Sequence, residues 1–143
     1  MIVPDVNLLV YAIHQESPEH ARARRCLDQL LTGDEPVGLP WAVILGFVRI
    51  TTHARIMQTP WTIDEAAALV DRWLAQRTVT VIDPTSRHWN ILRSLLTAAG
   101  RGANLTSDAH LAAICIERGA TLHSADNDFA RFRELRWVNP LAV

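Results

Sequence analysis

The sequence contains no lysine: all fourteen basic residues are arginine, and fifteen acidic residues bring the net charge to −1. The absence of lysine excludes chemistry that needs its amine, such as a Schiff base, a lysine-dependent phosphate loop or the acidic pocket of a receiver domain. The small net charge excludes attraction of nucleic acid to the molecule as a whole. Arginine's planar guanidinium suits phosphate contacts, so the composition permits a nucleic-acid partner without requiring one.

Cysteine is also scarce, and long apolar runs are absent. Cys26 and Cys115 fall in predicted helices without the spacing of a metal or redox site, so we interpret both as buried packing residues. No stretch is long and apolar enough for a membrane span, and no basic-then-apolar signal sequence opens the chain, which favours a cytoplasmic location. With 143 residues, 49% of them hydrophobic, the sequence predicts a single domain over residues 1–143 with a substantial core.

Short β-branched or apolar runs alternate with longer amphipathic stretches along the chain. The short runs predict five strands, at residues 2–3, 37–39, 78–82, 120–123 and 136–138. Between them we expect helices over residues 6–13, 17–33 (with Ser17 as the cap), 40–52 and 105–117. A further helix begins at Thr62, and another, capped by Asp83 or Thr85, carries Trp89, Leu92 and Leu96. Strands that alternate with helices predict the α/β class, with a parallel sheet covered on both faces.

Carboxylates directly follow two of the predicted strands. Asp5 ends the first strand, with Asn7 two residues on, and Asp126 and Asp128 follow the fourth strand after Ser124. The carboxyl ends of parallel strands form one edge of a sheet, and ligands bind there. Each motif alone has a simpler interpretation, the first as a helix N-cap and the second as an Asx-rich turn. Together they favour a shared acidic site.

Asp108 joins these residues from the helix predicted over 105–117. It shares the inward-facing stripe of Leu105, Ala112 and Cys115, where an unpaired charge is costly. Stabilisation of a carboxylate by the helix N-terminus explains why Asp108 lies in the first turn, but it does not explain why Asp108 lies on the inward-facing side of the helix. Two unit charges about 4 Å apart repel by roughly 4 kcal/mol at an effective dielectric near 20, so several carboxylates together require protonation or a divalent metal. Oxygen-only ligands suit Mg²⁺ or Mn²⁺, and such a site favours phosphodiester hydrolysis.

Histidine and tryptophan contribute less to the predicted site. His110 lies two residues from Asp108, and successive helical residues turn by about 100°, so its ring should point away from the carboxylates. No role is assigned to the other five histidines. The five tryptophans could include a base-stacking platform, but most have helical spacing beside Leu and Val and are interpreted as core. A haloacid-dehalogenase-like phosphatase also begins from a strand-end aspartate, but it requires a second acid where Asn7 stands.

Three short motifs, in this order, resemble the PIN domain and especially the toxin ribonucleases of the VapBC type. They are Pro-Asp5-Val-Asn7-Leu-Leu, Ser107-Asp108-Ala-His-Leu-Ala-Ala and Ser124-Ala-Asp126-Asn-Asp128-Phe, and the Trp-Val-Asn-Pro140-Leu ending resembles one bacterial subgroup. The resemblance runs nearly the whole chain and implies a three-layer α/β/α sandwich around a parallel sheet of about five strands. It also implies a Mg²⁺-dependent endoribonuclease, a homodimer and a small cognate antitoxin that blocks the acidic pocket.

The resemblance further implies roles for individual side chains. The implied metal ligands and catalytic residues are Asp5, Asp108 and Asp126, with Asp128 as an accessory metal ligand. Asn7 and Ser124 would support them by hydrogen bonding.

One departure from the family concerns its fourth acid, a glutamate on the helix after the second strand. The helix predicted over 40–52 carries no acid, and Ala42 and Gly46 leave space on the face that also bears Arg49. Arg49 and Arg55 are candidates for holding RNA phosphates. The alternative to a ribonuclease is a catalytically weak PIN-like module that binds RNA or antitoxin without efficient cleavage.

Overall fold

The computed structural model of the chain describes residues 1–142. Within that range five strands are present: β1 (Ile2–Pro4), β2 (Val37–Pro40), β3 (Val79–Ile82), β4 (Thr121–His123) and β5 (Arg136–Val138). The six α-helices are α1 (Val6–Tyr11), α2 (His20–Thr32), α3 (Trp41–Thr51), α4 (Ile63–Leu74), α5 (His88–Ala99) and α6 (Leu105–Glu117). A short 3₁₀ helix, Asn127–Arg131, follows β4.

All five strands run parallel in one sheet with the order β3-β2-β1-β4-β5. From β1 the chain moves outward through β2 to β3, and then crosses back over β1 to β4 and β5. Right-handed crossovers therefore place α1–α4 on one face of the sheet and α5 and α6 on the other. This is a three-layer α/β/α sandwich, and the predicted α/β class with a parallel sheet of five strands is confirmed.

Local signals account for several helix boundaries. Thr62 Oγ1 accepts the Glu65 N–H at 3.1 Å, and Glu65 Oε1 accepts the Thr62 N–H at 3.0 Å, which is the predicted capping box of α4. Gly100 ends α5 with φ of 73°, and Gly119 follows α6 with φ of 62°. Both angles lie in the left-handed region that favours glycine, so these two residues end their helices as expected.

Two predicted boundaries are wrong by a few residues. Helix α1 ends at Tyr11 instead of residue 13, and α2 begins at His20 instead of Ser17. Ser17 Oγ donates to Glu19 Oε2 at 2.6 Å and accepts the Glu19 N–H at 3.3 Å. This side-chain turn offers the backbone a local alternative to the helix and delays its start.

The hydrophobic core lies on both faces of the sheet. Val3 of β1, Leu122 of β4 and Phe47 of α3 are completely buried. Cys115 is buried, as predicted, whereas Cys26 is only half-buried, and both thiols are free. Among residues 1–142, no helix combines the length and the apolar character that crossing a membrane requires.

The interpretation of most tryptophans as core residues is confirmed, because three of the five pack in or against the core. Trp73 is buried, and Trp61 and Trp137 pack against the core. Trp41 at the start of α3 and Trp89 at the start of α5 expose 50% and 62% of their surface. Helical spacing beside apolar residues therefore does not by itself bury a tryptophan at the end of a helix.

Candidate metal centre

The carboxyl ends of β1 and β4 lie side by side, at the point where the strand order reverses. Pro4 pairs with His123, and the Asp5 N–H donates to the His123 carbonyl at 2.9 Å. Asp5 and Ser124 therefore leave the two strands next to each other. In open α/β sheets such a reversal opens a crevice outside the strand ends, and ligands bind in that crevice.

Asp5 combines the two roles that its sequence position left open. Its Oδ1 accepts the Val6 N–H at 2.7 Å and so caps α1. Its Oδ2 accepts from Ser124 Oγ at 2.7 Å and from Asn7 Nδ2 at 3.3 Å. Burial raises the pKa of Asp5, the hydrogen bonds from Ser124 and Val6 oppose that rise, and the charge of Asp126 adds to it. Helix capping and membership of an acidic site are thus compatible.

Ser124 and Asn7 tie the ends of β1 and β4 together. Ser124 is completely buried, and its Oγ accepts from Asn7 Nδ2 and from the Asp126 N–H, each at 3.1 Å, while it donates to Asp5. This uses the single donor and both acceptor sites of the hydroxyl. Asn7 Oδ1 in turn accepts the Ala125 N–H at 3.3 Å. Hydrogen bonds from Ser124 and Asn7 therefore hold the Asp5 carboxylate, and the Ser124 hydroxyl has no site left for a further hydrogen bond.

Asp126 and Asp128 extend the acidic edge beyond β4. Asp126 Oδ1 accepts the Asp128 N–H at 2.9 Å and caps the 3₁₀ helix. Asp128 is exposed, and its carboxylate lies 3.7 Å from the Arg131 guanidinium. Arg131 also donates from Nε to the Asp128 carbonyl at 3.1 Å. Sequence reasoning missed Arg131; its spacing of three residues from Asp128 on a helical turn is the signal that points to the pair.

Asp108 approaches the same edge from the first turn of α6, where it is half-buried. Burial raises the pKa of its carboxyl, and the charges of Asp126, Asp5 and Asp128 raise it further, while the charge of Arg131 opposes them. Asp108 therefore lies within electrostatic reach of the other three aspartates predicted as metal ligands.

This cluster suits a largely hydrated divalent cation better than a closed cage of protein ligands. Within residues 1–142, no three carboxylate, imidazole or thiol side chains stand close enough together to surround an ion. Mg²⁺ retains several waters and takes only one or two carboxylates, so it does not require such a cage. The pKa values of Asp5 and Asp108 are raised first by burial and further by neighbouring carboxylates, and a cation would offset this second contribution. The acidic edge thus offers Mg²⁺ or Mn²⁺ a fitting, open donor set.

The raised pKa values predict how stability depends on pH. The folded chain binds protons more tightly at Asp5 and Asp108 than the unfolded chain, where their pKa is 3.8. This contribution to stability is fully present below pH 3.8 and is lost as the pH rises through the folded-state values. At pH values above the folded-state pKa values, added Mn²⁺ should therefore raise the melting temperature. Below pH 3.8 it should have little effect.

Thermal melts of wild type and Asp108→Asn across pH, with and without Mn²⁺, measure this effect. At neutral pH the metal-free variant should melt higher than wild type, because the amide removes a charge that burial and the neighbouring aspartates both disfavour. It should also respond less to Mn²⁺. An equal Mn²⁺ response in both proteins would contradict the cluster.

A second network of titratable groups, unforeseen from sequence, joins α5 to α6. Glu117 is buried, and both of its carboxylate oxygens lie 3.2 Å from His88 Nδ1. His88 Nε2 lies 2.9 Å from His110 Nδ1, and the Thr85 N–H donates to Glu117 Oε1 at 3.1 Å. Burial lowers the pKa of His110, His88 lowers it further, and Glu117 opposes both. His110 thus faces α5, as the helical rotation from Asp108 predicts.

The acid-free helix α3 has two small residues, Ala42 and Gly46, and they differ in the space around them. Gly46 leaves no vacancy, because a Cβ there would lie 2.8 Å from Val6 Cγ2, so the predicted space is filled by packing against α1. Ala42 is exposed in the first turn, where α3 leaves β2 beside β1. Arg49 and Arg55 are also exposed, near the end of α3 and beyond it. Of the two positions predicted to have space for a further acid, only Ala42 has it.

Comparison with known proteins gives a consistent answer. The family model of the PIN domain matches residues 2–135. Ribonuclease VapC33 of Mycobacterium tuberculosis is 41% identical over 141 residues, 99% of each chain, and ribonuclease VapC37 of the same species is 41% identical over 143 residues, 100% of this chain and 99% of the relative. Among solved structures, VapBC2 from Rickettsia felis, bound to a DNA fragment from their promoter, matches with a TM-score of 0.69 at 19% identity over 97% of this chain and 98% of that chain. We call the sheet edge that carries Asp5, Asp108, Asp126 and Asp128, at the reversal of strand order, the acidic crevice. The chain belongs to the PIN domain family.

Proposed function

We propose that the chain is a Mg²⁺- or Mn²⁺-dependent endoribonuclease and the toxin component of a type II toxin–antitoxin system. The observation that carries the proposal is that Asp5 and Asp126 follow the neighbouring strands β1 and β4, with Asp108 within electrostatic reach of both. Full-length relatives at 41% identity that are named ribonucleases support the same chemistry. RNA as the substrate also fits a chain in which every basic residue is arginine.

Each side chain has a distinct task in this proposal. Asp5, Asp108 and Asp126 would hold a largely hydrated cation, in part through its bound waters, and Asp128 would be an accessory ligand at the open side. A bound divalent cation supplies Lewis-acid stabilisation of the charge that develops on the phosphate. Ser124 and Asn7 fix the Asp5 carboxylate, and their hydrogen bonds keep its Oδ2 oriented toward them while Oδ1 holds α1.

The proposed partners follow from the same family. A small VapB-like antitoxin blocks the acidic crevice, and a second copy of the chain forms a homodimer in the cytoplasm. Trp41 and Leu45, one turn apart on α3, expose 50% and 62% of their surface, which supplies apolar area of the kind that a second copy covers. Arg49 and Arg55 remain candidates for RNA phosphates near this helix. Sedimentation velocity of the purified chain tests the dimer; a monomer at all concentrations would refute it.

The alternative is a catalytically weak module that binds RNA or antitoxin, and the acid-free α3 favours it. Calorimetric titration with Mn²⁺ separates the two functions. The ribonuclease predicts a saturable site that Asp108→Asn weakens by more than about tenfold, because the variant removes a carboxylate from the cluster. Absence of Mn²⁺ binding by the wild-type chain would favour the weak module.

Ala42→Glu should tighten Mn²⁺ binding by roughly tenfold, equivalent to about 1.4 kcal/mol, and should raise cleavage. Ala42 is exposed at the edge where β1 and β2 end, so a glutamate there adds a carboxylate without burying an unpaired charge. Ala68→Glu, at an exposed position on α4, adds the same charge elsewhere and should leave Mn²⁺ affinity unchanged. A falling melting temperature without any gain in affinity at position 42 would contradict the prediction.

A further inference from the structure

Three adjoining depressions run along the exposed side of α5 toward the acidic crevice. Their volumes are about 550, 460 and 310 Å³, and all three share Ser94 as a wall. The first lies between the C-terminal half of α5 and residues 131–134, and the others continue toward the start of α5. We call this surface the α5 groove and define it by Arg87, Asn90, Arg93, Ser94, Arg131 and Arg133.

The α5 groove is basic in a molecule that carries a net charge of −1. Four arginines line it, and Glu134 is the one acid among its lining residues. Arg93 and Arg133 are exposed. A concentration of guanidinium groups along an elongated depression is the electrostatic footprint of a polyanion.

Arg131 connects the α5 groove with the acidic crevice. It lines the first depression, and its guanidinium lies 3.7 Å from the Asp128 carboxylate. A strand of phosphates that leaves the acidic crevice along α5 therefore passes Arg131 first and the other groove arginines next.

Hydrogen-bonding groups line the groove, and an aromatic ring lies next to it along α5. Trp89 is not among the lining residues, but it lies four residues before Arg93 on the same helix face and exposes 62% of its surface. Asn90 and Ser94 line the depressions between them. An exposed aromatic ring beside arginines and neutral hydrogen-bonding side chains is the combination that binds single-stranded nucleic acid without reading its sequence. The excess of four arginines over one glutamate favours a polyanion over an uncharged protein surface.

We propose that the α5 groove binds the phosphodiester backbone of single-stranded RNA next to the cleavage site. The inference rests on the proposed ribonuclease function and extends it, because it assigns a path to the substrate on the face of the sheet opposite α3. Arg93 and Arg133 hold successive phosphates, Arg131 guides the strand into the crevice, and Trp89 stacks on a base.

The test measures binding of a fluorescein-labelled, mixed-sequence 20-nucleotide single-stranded RNA by anisotropy over a range of salt concentrations. An Asp5→Asn background prevents cleavage. Each phosphate contact on a single strand contributes about 0.7 to the slope of log affinity against log salt, so Arg93→Gln/Arg133→Gln should lower the slope by about 1.4 and the affinity on the order of tenfold.

Arg24→Gln/Arg25→Gln is the matched control, because it removes the same charge from exposed positions on α2, in the opposite helical layer. This pair should leave the slope unchanged. If both double variants lost RNA affinity and salt slope equally, the loss would come from net charge alone, and the proposal would be overturned. A changed sedimentation coefficient of the groove pair with unchanged RNA affinity would make the groove a protein interface and would also overturn it.

Cleavage of the same RNA with Asp5 restored separates this proposal from the ribonuclease function. The groove pair should raise KM on the order of tenfold and leave kcat unchanged. If the wild-type chain cleaves RNA but the groove pair keeps the full salt slope, the groove assignment fails and the ribonuclease stands. If the groove pair loses RNA affinity but the wild-type chain never cleaves with Mg²⁺, the groove stands and the ribonuclease fails.

Discussion

Asp5→Asn should lower RNA cleavage by more than about 100-fold, because loss of even an outer partner of a metal site typically costs 10–100-fold. The variant should still fold. Asparagine caps a helix about as well as aspartate, so the Val6 N–H keeps an acceptor. The new amide can no longer accept the Ser124 hydroxyl at the Oδ2 position, which costs about 1 kcal/mol. Relief of a desolvated charge offsets part of that cost. Cleavage of labelled RNA together with a thermal melt measures both effects.

Asp83→Asn is the matched control for Asp5→Asn. Asp83 directly follows β3, as Asp5 follows β1, but β3 is the edge strand and lies two strands away from the reversal of strand order. Asp83 is also exposed. Its replacement should therefore leave cleavage unchanged. Full activity in well-folded Asp5→Asn would reduce Asp5 to a helix cap.

Glu117→Ala should destabilise the chain by about 2–6 kcal/mol, because it leaves two donors without an acceptor and each costs about 1–3 kcal/mol. The substitution leaves the Thr85 N–H and His88 Nδ1 without their acceptor inside the α5–α6 contact. Each kcal/mol lowers the melting temperature of a chain of this length by roughly 2–4 °C, so a decrease on the order of 10 °C is expected. Thermal melts at neutral pH measure it.

Glu35→Ala is the control for this prediction. Glu35 also contacts a cation, the Met1 ammonium at 3.3 Å, but its side chain is 59% exposed. Such a surface pair contributes at most about 1 kcal/mol. The two glutamates should therefore differ clearly in the melting temperature of their alanine variants. Similar melting temperatures for both variants would show that the buried network adds little to stability.

Asp5 and Asp126 were predictable from sequence because parallel strands bring their carboxyl ends to one edge whatever the details of packing. Both follow short apolar strands, and the strand order then sets β1 beside β4. Asp108 was predictable for a different reason, since a charge on an inward stripe requires a partner. These inferences needed only periodicity and topology.

The His88–Glu117 pair was not predictable in the same way. The two residues are 29 positions apart, and their contact depends on how α5 is rotated against α6. Gly46 shows a similar limit, because its small size resembled a vacancy until Val6 from α1 was seen to fill it. Arg131 was missed because its role depends on a groove formed with the distant α5. Contacts between helices far apart in sequence are decided by packing, which the sequence pattern does not contain.

Cleavage of labelled RNA as a function of free Mg²⁺ tests the central claim most directly. The acidic crevice has an open set of carboxylates, so its cation should exchange freely with solution. We expect no cleavage in excess chelator, an unchanged fold under that condition, and saturable recovery of cleavage as Mg²⁺ or Mn²⁺ is added. Undiminished cleavage in excess chelator would contradict the claim that Asp5, Asp108 and Asp126 act by holding a divalent cation.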